Sequence, residues 1–299
     1  MKTVNIFGKS TLTILLAGGL LFTACKKESK ESVLVQEEAT IQSTQNDEEA
    51  DAAYDEVFNT TMGVGQESGE DIGLTAGVGV FGRMEGGSYT GRVDSAGQRC
   101  FTMTVLPKDR GVFPKTITLD FGAGCLGKDG RLRKGKIITV FTGPMRVPGS
   151  KATTTFEGYK VDSVSVTGTH EVVNNSTSNN ASLTVRVIAG KLTWDSGRWV
   201  KWSTTRTTTQ IEGNGTVFFP LDDIFQIRGA GAGENSFGRT WSHEIIEPLI
   251  KKFTCPWISK GVIRVTHNAK SALLNFGTGD CDNKAMLTIN GVEKEITLR

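Results

Sequence analysis

Polar and apolar residues alternate along the chain from about residue 89 onward, and β-branched residues are frequent there. The segment 163–173 shows this most clearly, because Val164, Val166 and Val172 fall on one side and serine and threonine fall on the other. A period of two predicts strands with one buried face and one solvated face. The predicted strands are 100–106, 115–121, 135–141, 153–161, 163–173, 182–188, 199–211, 224–229, 240–246, 261–266, 272–276 and 285–298.

Short polar loops separate these strands, and Asn290-Gly291 between two alternating runs is typical of a tight hairpin turn. No alternation of strands with helices occurs, which disfavours a parallel sheet. The sequence therefore predicts an all-β fold, a large antiparallel meander over residues 89–299. The pattern leaves open whether the sheet is a curled half-barrel, a closed barrel or a sandwich.

One predicted strand differs from the others, because both of its faces are polar beyond Trp202. It spans residues 199–212 and carries Lys201, Arg206 and Glu212. Charged residues on a sheet edge discourage edge-to-edge aggregation. We therefore expect this strand at a sheet edge or projecting into solvent.

A cysteine motif occurs twice, as TITLDFGAGC at 116–125 and as ALLNFGTGDC at 272–281. Each copy has a second cysteine upstream, Cys100 at a spacing of 25 and Cys255 at a spacing of 26. The shared spacing indicates an internal repeat of two modules, about 100–141 and 255–299. Only the pairing of Cys100 with Cys125 and of Cys255 with Cys281 respects that repeat, so these two disulfides are predicted.

The N-terminus has the layout of an export signal. Residues 1–24 combine two lysines with a short apolar run and end in Thr23-Ala24 before Cys25. This is typical of a bacterial lipoprotein signal peptide, in which the cysteine becomes the lipidated first residue. The sequence thus predicts an outer-membrane lipoprotein, facing the periplasm or the cell surface and bound to the membrane through a lipid anchor at Cys25.

Residues 25–88 form a predicted acidic linker that ends in a glycine-rich passage. Its polar composition predicts a solvated spacer. Within it, Asn46 is placed to cap a short helix, because the acidic residues that follow it suit the first turn of a helix. The expected fold is therefore a β domain with one short N-terminal helix on a flexible tether.

The charge of the chain is divided unevenly between this linker and the body. Residues 26–72 hold three lysines and 13 acidic residues, a net charge of −10, and the signal segment carries +2. Because the whole chain is +2, residues 73–299 carry +10. A basic exported domain favours anionic partners such as lipopolysaccharide, acidic glycans or phospholipid headgroups, and in the envelope nucleic acid is not an expected partner.

The densest basic cluster lies just after the first cysteine motif and consists of Lys128, Arg131, Arg133, Lys134 and Lys136. It is either a solvated hairpin or part of an anion-binding surface. In the second case, reversing the charges of Arg131 and Arg133 weakens anion binding and leaves the free energy of unfolding within about 0.5 kcal/mol, as at exposed sites.

Motifs for other chemistry are incomplete in the sequence. The glycines of 122–127 resemble a nucleotide-binding loop, but Asp129-Gly130 turns the chain where that loop needs a helix. The three histidines are far apart, and no CxxC pair occurs, so neither a metal nor a cofactor is predicted. Acidic residues cluster at Asp222-Asp223, at Glu244 and Glu247, and at Asp280 and Asp282. Paired carboxyl groups could serve glycoside hydrolysis, and Asp280 with Asp282 could bind calcium. The alternative is that these residues form turns and solvated strand faces.

The lipoprotein signal, the acidic DEVFN at 55–59, the segment 113–137 and the closing segment 281–298 together resemble a group of uncharacterised predicted lipoproteins of Bacteroidota. The resemblance implies an exported β protein and carries no activity. We expect a non-enzymatic envelope lipoprotein that binds or scaffolds an anionic glycan or lipid. The alternatives are a polysaccharide hydrolase, which needs two carboxyl groups across a cleft, and a lipid carrier, which needs an apolar cavity under a curved sheet.

Overall fold

The computed structural model describes residues 30–67, 100–127, 130–215, 220–255, 257–267 and 270–297, and within the helix it describes the side chains of residues 38–47, 49–54, 56–57 and 60–61. The described residues form one α-helix, α1 (Lys30–Glu67), one short 3-10 helix (Pro220–Asp222) and fourteen strands. The strands are β1 (Thr102–Leu106), β2 (Lys115–Asp120), β3 (Cys125–Leu126), β4 (Leu132–Phe141), β5 (Lys151–Val161), β6 (Val164–Asn174), β7 (Ser182–Trp194), β8 (Trp199–Glu212), β9 (Ile224–Asn235), β10 (Thr240–Lys252), β11 (Ile258–His267), β12 (Lys270–Thr278), β13 (Lys284–Ile289) and β14 (Val292–Thr297).

All fourteen strands belong to one antiparallel sheet, which confirms the predicted all-β meander. Each strand pairs with its neighbour along the chain, except that β2 pairs with β4 and the two-residue β3 lies beside β4. Among the described strands the edges are β1 and β14, so the sheet that they form is open and does not close into a barrel. It is also not a sandwich of two sheets, because one sheet contains every described strand.

The helix α1 crosses the strands on one face of the sheet, which we call the inner face; the opposite face is the outer face. Ile41 packs beside apolar residues of β9, β10, β12 and β13, whereas Thr61 lies 3.5 Å from Thr139 on β4. The buried positions of α1 recur every three or four residues, as expected for one helix face. They are Ala39, Thr40, Ser43, Asn46, Ala50, Tyr54, Val57, Thr60 and Thr61.

A helix in the acidic segment is confirmed, but its extent differs from the sequence expectation. It begins at Lys30 and has 38 residues, so Asn46 lies in its interior, 2% exposed, and not at its N-cap. The central part of α1 packs on the sheet and is therefore not a solvated spacer. Hydrophobic periodicity could not show this, because most side chains on the buried helix face are small or polar.

Irregular pairing recurs in the sheet beneath α1. Register shifts interrupt the β4–β5, β6–β7 and β7–β8 ladders, among others. At one of them, a Cβ on Gly190 would lie 2.7 Å from the Tyr54 hydroxyl oxygen and 2.8 Å from the Trp202 carbonyl oxygen. Glycine at this position therefore lets α1 approach the sheet backbone closely. Bulges increase local twist, so these irregularities also bend the sheet.

Both predicted disulfides are present. The Cα atoms of Cys100 and Cys125 are 5.3 Å apart, and those of Cys255 and Cys281 are 5.7 Å apart. The two modules also share one order of elements, a cysteine followed by two paired strands and a cysteine-containing turn.

The modules nevertheless run in opposite directions. Nine antiparallel pairings separate β1 from β11, so these equivalent strands are antiparallel to each other. Phe121 and Phe276 both face inward, and the strands follow the same order along the sheet. The two modules thus share the order of their strands and the face that points inward, but their strands run in opposite directions. Reversing only one of these three directions changes the handedness, so no rigid rotation superposes the modules. The repeat is thus a shared local framework and not a superposable duplication.

The polar strand β8 lies in the interior of the sheet between β7 and β9, so the expectation of an edge or projecting strand is wrong. Its inward side chains include Thr204, Arg206 and Thr208. The helix contacts this strand, because Arg206 pairs with Asp51 and Trp202 donates to Asp47. A polar strand is tolerated here because it faces a polar helix.

Candidate functional site

Acidic and amide side chains of α1 contact arginines of the sheet at regular intervals. Three such pairs recur every seven helix residues: Gln42 with Arg239, Glu49 with Arg198, and Glu56 with Arg131. Arg239 lies in the β9–β10 turn, Arg198 lies in the β7–β8 turn, and Arg131 also donates from Nε to Asp162 of the β5–β6 turn at 3.2 Å. Successive hairpin turns at one end of the sheet therefore hold successive heptads of the helix.

This arrangement follows from two matched spacings. Seven residues of α-helix advance about 10.5 Å along the axis. Two neighbouring strands advance about 9.6 Å across a sheet. A helix perpendicular to the strands therefore presents the same face to every second strand. The arginines that lie in alternate turns, or contact one as Arg131 does through Asp162, meet equivalent helix positions. The match explains how α1 is held across the strands rather than along them.

A second row of contacts lies deeper under the helix. Trp202 Nε1 donates to Asp47 Oδ1 at 2.6 Å, and His243 Nδ1 lies 3.0 Å from the same oxygen. Arg206 donates to Asp51, one helical turn further on. Burial lowers the pKa of Arg206 to about 10, and the charge of Asp47 opposes this decrease. Arg206 therefore remains a cation at neutral pH and fixes the acidic helix to the sheet.

Aromatic contacts fill the centre of the interface around Tyr54. Its ring stacks 5.9 Å from Trp202 and 6.2 Å from His170, centroid to centroid, and its hydroxyl donates to the Thr167 carbonyl oxygen. Burial raises the pKa of Tyr54 well above its usual value and lowers the pKa of His170 to about 4. Both side chains are neutral at pH 7 and act as packing residues under the helix.

The predicted basic cluster is divided between the two faces of the sheet. Arg133 is 1% exposed and, like Arg131, donates to Glu56 of α1. The premise that both arginines are exposed is therefore wrong for Arg133, and reversing the two charges is expected to lower the free energy of unfolding. Lys134 and Lys136 lie on the outer face, and Lys128 lies outside the described residues.

The helix also accounts for part of the charge asymmetry. Residues 30–67 contain one lysine and ten acidic residues, a net charge of −9. Their described carboxylates contact Arg131, Arg133, Arg198 and Arg206. Much of the positive charge of the β domain is thus neutralised by the helix of the same chain. Candidate sites for an external anion are therefore sought on the outer face.

On the outer face, two lysines lie over one tryptophan. Lys191 Nζ is 5.6 Å and Lys201 Nζ is 4.8 Å from the centre of the Trp199 ring. Lys191 and Lys201 are directly opposite each other on β7 and β8. Like charges in direct cross-strand positions destabilise a sheet, whereas each cation is attracted to the aromatic face. Lys201 is also 3.2 Å from Glu234, but 56% of its side chain is exposed.

Three of the clustered acidic residues have structural partners. Asp223 is buried and accepts from Gln210 Nε2 at 2.8 Å, whereas Glu244 pairs with Arg264 at 3.3 Å on the exposed surface. Asp282 accepts from the Lys284 backbone nitrogen at 2.9 Å, as expected in a turn. Among the residues that the structure describes, no group of three or more histidine, cysteine or acidic side chains is placed to hold a metal ion.

Sequence reasoning did not identify Arg198, Arg206, Arg239 or Trp199 as site residues. The heptad spacing of Gln42, Glu49 and Glu56 was a usable signal for α1. The arginines carry no such signal, because each lies on a different strand or turn.

No family model, curated protein or solved structure matches this chain. Among the described residues, no helix is long and apolar enough to cross a membrane.

Proposed function

We propose that this protein is a non-enzymatic envelope lipoprotein that binds an anionic glycan or lipid headgroup on the outer face of its sheet. The observation that carries the proposal is the juxtaposition of Lys191, Lys201 and Trp199. A negatively charged group would accept hydrogen bonds from both ammonium groups, which would offset their mutual repulsion. The exposed part of the Trp199 ring would contact the apolar face of a sugar or the glycerol region of a lipid.

The inner face is less suited to an external ligand, because α1 covers it. A lipid bound there would have to replace the contacts of Tyr54 and Val57, which are both 1% exposed. An anion bound there would compete with Glu49, Asp51 and Glu56 for the arginines. On the outer face, an anion could bind the paired lysines without displacing any helix or strand that the structure describes.

Anchoring at Cys25 completes the proposal. Cys25 lies outside the described residues, five positions before α1 begins at Lys30. Acyl chains on that cysteine would hold the β domain at the membrane and place its outer face among envelope polymers.

The test uses the purified full-length chain carrying Cys25→Ala, with two probes that separate the sources of an anion. One probe is polygalacturonate, and the other is a vesicle of phosphatidylglycerol with phosphatidylcholine. We expect Lys191→Gln with Lys201→Gln to weaken binding about tenfold, the equivalent of two exposed ion pairs, and added salt to weaken wild-type binding further.

Lys151→Gln is the matched control, because Lys151 is also on the outer face but pairs with Glu171 at 3.6 Å on a distant part of the sheet. Polygalacturonate binding alone would identify a glycan, and vesicle binding alone would identify a lipid headgroup. Failure of both probes to bind, or equal affinity of the double variant and the control, would exclude this surface as an anion site.

A further inference from the structure

We infer that the ligand of this outer face is a linear polyanionic glycan that lies across strands β4 to β8, from Lys134 to Trp199. The inference rests on the proposed function. It adds that the ligand is a linear polymer and that it runs across the strands. A single lipid headgroup would occupy only the Trp199 end. A polymer would continue along the row of side chains described next.

Strand register places five residues in one row on the outer face. Residues directly opposite each other in neighbouring strands project from the same face. Each residue of the row is directly opposite the next one on the neighbouring strand. From β4 to β8 the row consists of Lys134, Lys160, Ser165, Thr193 and Trp199. The sequence neighbours of the two end residues point the other way. Arg133, next to Lys134, and Val200, next to Trp199, are both buried on the inner face. The row is therefore continuous on the outer face.

A like-charged lysine pair lies at one end of the row, and another lies beside its other end. Lys134 is directly opposite Lys160 within the row, whereas Lys191 is directly opposite Lys201 in the neighbouring row, two residues along the strands from Thr193 and Trp199. One lysine of each pair contacts a carboxylate, Lys160 with Asp195 and Lys201 with Glu234. Within the part of the chain that the structure describes, Lys134 and Lys191 have no carboxylate partner, and Lys134 is exposed. Two repulsive pairs on one surface indicate a ligand that supplies negative charge at both places.

The residues between the lysine pairs suit a sugar polymer. Ser165 and Thr193 lie between them in the row, and Thr167 is directly opposite Lys191 in the neighbouring row. Hydroxyl groups both donate and accept hydrogen bonds, as sugar hydroxyls require. Four strand spacings separate β4 from β8, a distance of about 19 Å. That span exceeds a single sugar or headgroup and requires several linked units with charges at both ends.

The test is a chain-length series of oligogalacturonates, measured by titration calorimetry with the full chain carrying Cys25→Ala. Short oligomers are expected to bind at Trp199, Lys191 and Lys201 alone. Oligomers long enough to span about 19 Å are expected to bind about tenfold more tightly, because they gain the second lysine pair. Lys134→Gln should remove most of this gain and leave the affinity for short oligomers unchanged, whereas Lys201→Gln should weaken both.

The outcomes separate this inference from the proposed function. Absence of binding by every oligomer would overturn the extended track, and it would overturn the proposed function as well if the phosphatidylglycerol vesicles also failed to bind. Binding without a length-dependent gain, or a gain that Lys134→Gln leaves intact, would overturn the extended track and leave the Trp199 site standing. Lys151→Gln is again the control on the same face, and neutral maltohexaose should not bind. Equal affinity for a single-stranded oligothymidylate of matched length would overturn the assignment to a glycan. It would show that the surface binds any polyanion that can stack on Trp199 and does not recognise a sugar polymer.

Discussion

Glu56 of α1 accepts hydrogen bonds from Arg133, whose side chain is 1% exposed at the start of β4. The same carboxylate also accepts from Arg131, which is 40% exposed. Glu56 therefore contacts two arginines of the β domain. A buried guanidinium is tolerated only with a charged partner, so this contact joins the acidic helix to the basic sheet.

Replacing Glu56 by glutamine should lower the free energy of unfolding by about 2–4 kcal/mol, because it removes a charged acceptor from the buried Arg133 and from Arg131. Urea unfolding followed by tryptophan fluorescence measures this loss. Glu38→Gln is the control, since Glu38 is an exposed residue on the same helix. A combined Glu56→Leu and Arg133→Met variant should recover much of the stability, because it removes both charges. Equal stability of the Glu56 and Glu38 variants would contradict the structural role of this pair.

Gly190→Ala should loosen α1 from the sheet. The added Cβ would lie 2.6 Å from Val187 Cγ1 and 2.7 Å from the Tyr54 hydroxyl oxygen, so either the helix or the strand must move. We expect a loss of about 1–3 kcal/mol, as for other overpacked sites, and faster proteolysis within α1. Gly215→Ala should change neither quantity, because nothing lies within 4 Å of its Cβ position.

His170 should make the protein sensitive to mild acid. Its folded-state pKa of about 4 lies below the ordinary value of 6.5, because burial disfavours the charged form. The unfolded chain therefore binds a proton that the folded chain does not between about pH 6.5 and pH 4. Stability should fall as the pH decreases through this window, by on the order of 3 kcal/mol in total, and should be fully present above it.

The matched variant for that prediction is His170→Phe, which keeps an aromatic ring beside Tyr54 and removes the titrating group. The difference in unfolding free energy between pH 7 and pH 4 should be smaller in this variant than in the wild type. Carboxylates titrate in both proteins, so the comparison isolates the histidine. An identical pH dependence would show that His170 does not carry the effect.

Each disulfide closes a loop with a sequence separation of 25 or 26 residues. Loop entropy predicts a contribution of about 3.5 kcal/mol each. Cys255→Ser with Cys281→Ser should therefore lower the unfolding free energy by about this amount. Peptide mapping without reduction checks the pairing itself, and a peptide linking Cys100 or Cys125 to the second module would contradict it.

Lipidation of Cys25 is predicted from the signal segment alone. Cys25→Ala should move the protein from the membrane fraction to the soluble fraction, because the acyl chains are the expected anchor. Mass spectrometry of the mature N-terminus supplies the second readout. A variant that still partitions into detergent, with its mature N-terminus elsewhere, would exclude a lipid anchor at this residue.

The amino-acid sequence by itself determined the features that depend on local pattern. A period of two predicted the strands and the antiparallel meander, and Asn290-Gly291 predicted the β13–β14 turn, where both residues have positive φ values. The cysteine spacing predicted both disulfides. Each of these signals lies within a short stretch of chain, so no knowledge of distant neighbours was needed.

Only the tertiary structure decided which face of the sheet is available and what the arginines do. The pairs between α1 and the sheet join residues 75 to 197 positions apart, as in Glu56 with Arg131 and Gln42 with Arg239. The buried helix face is mostly small and polar, so hydrophobic periodicity gave no sign that it packs. The row from Lys134 to Trp199 likewise exists only through strand register, because side chains far apart in the sequence become neighbours when consecutive strands pair.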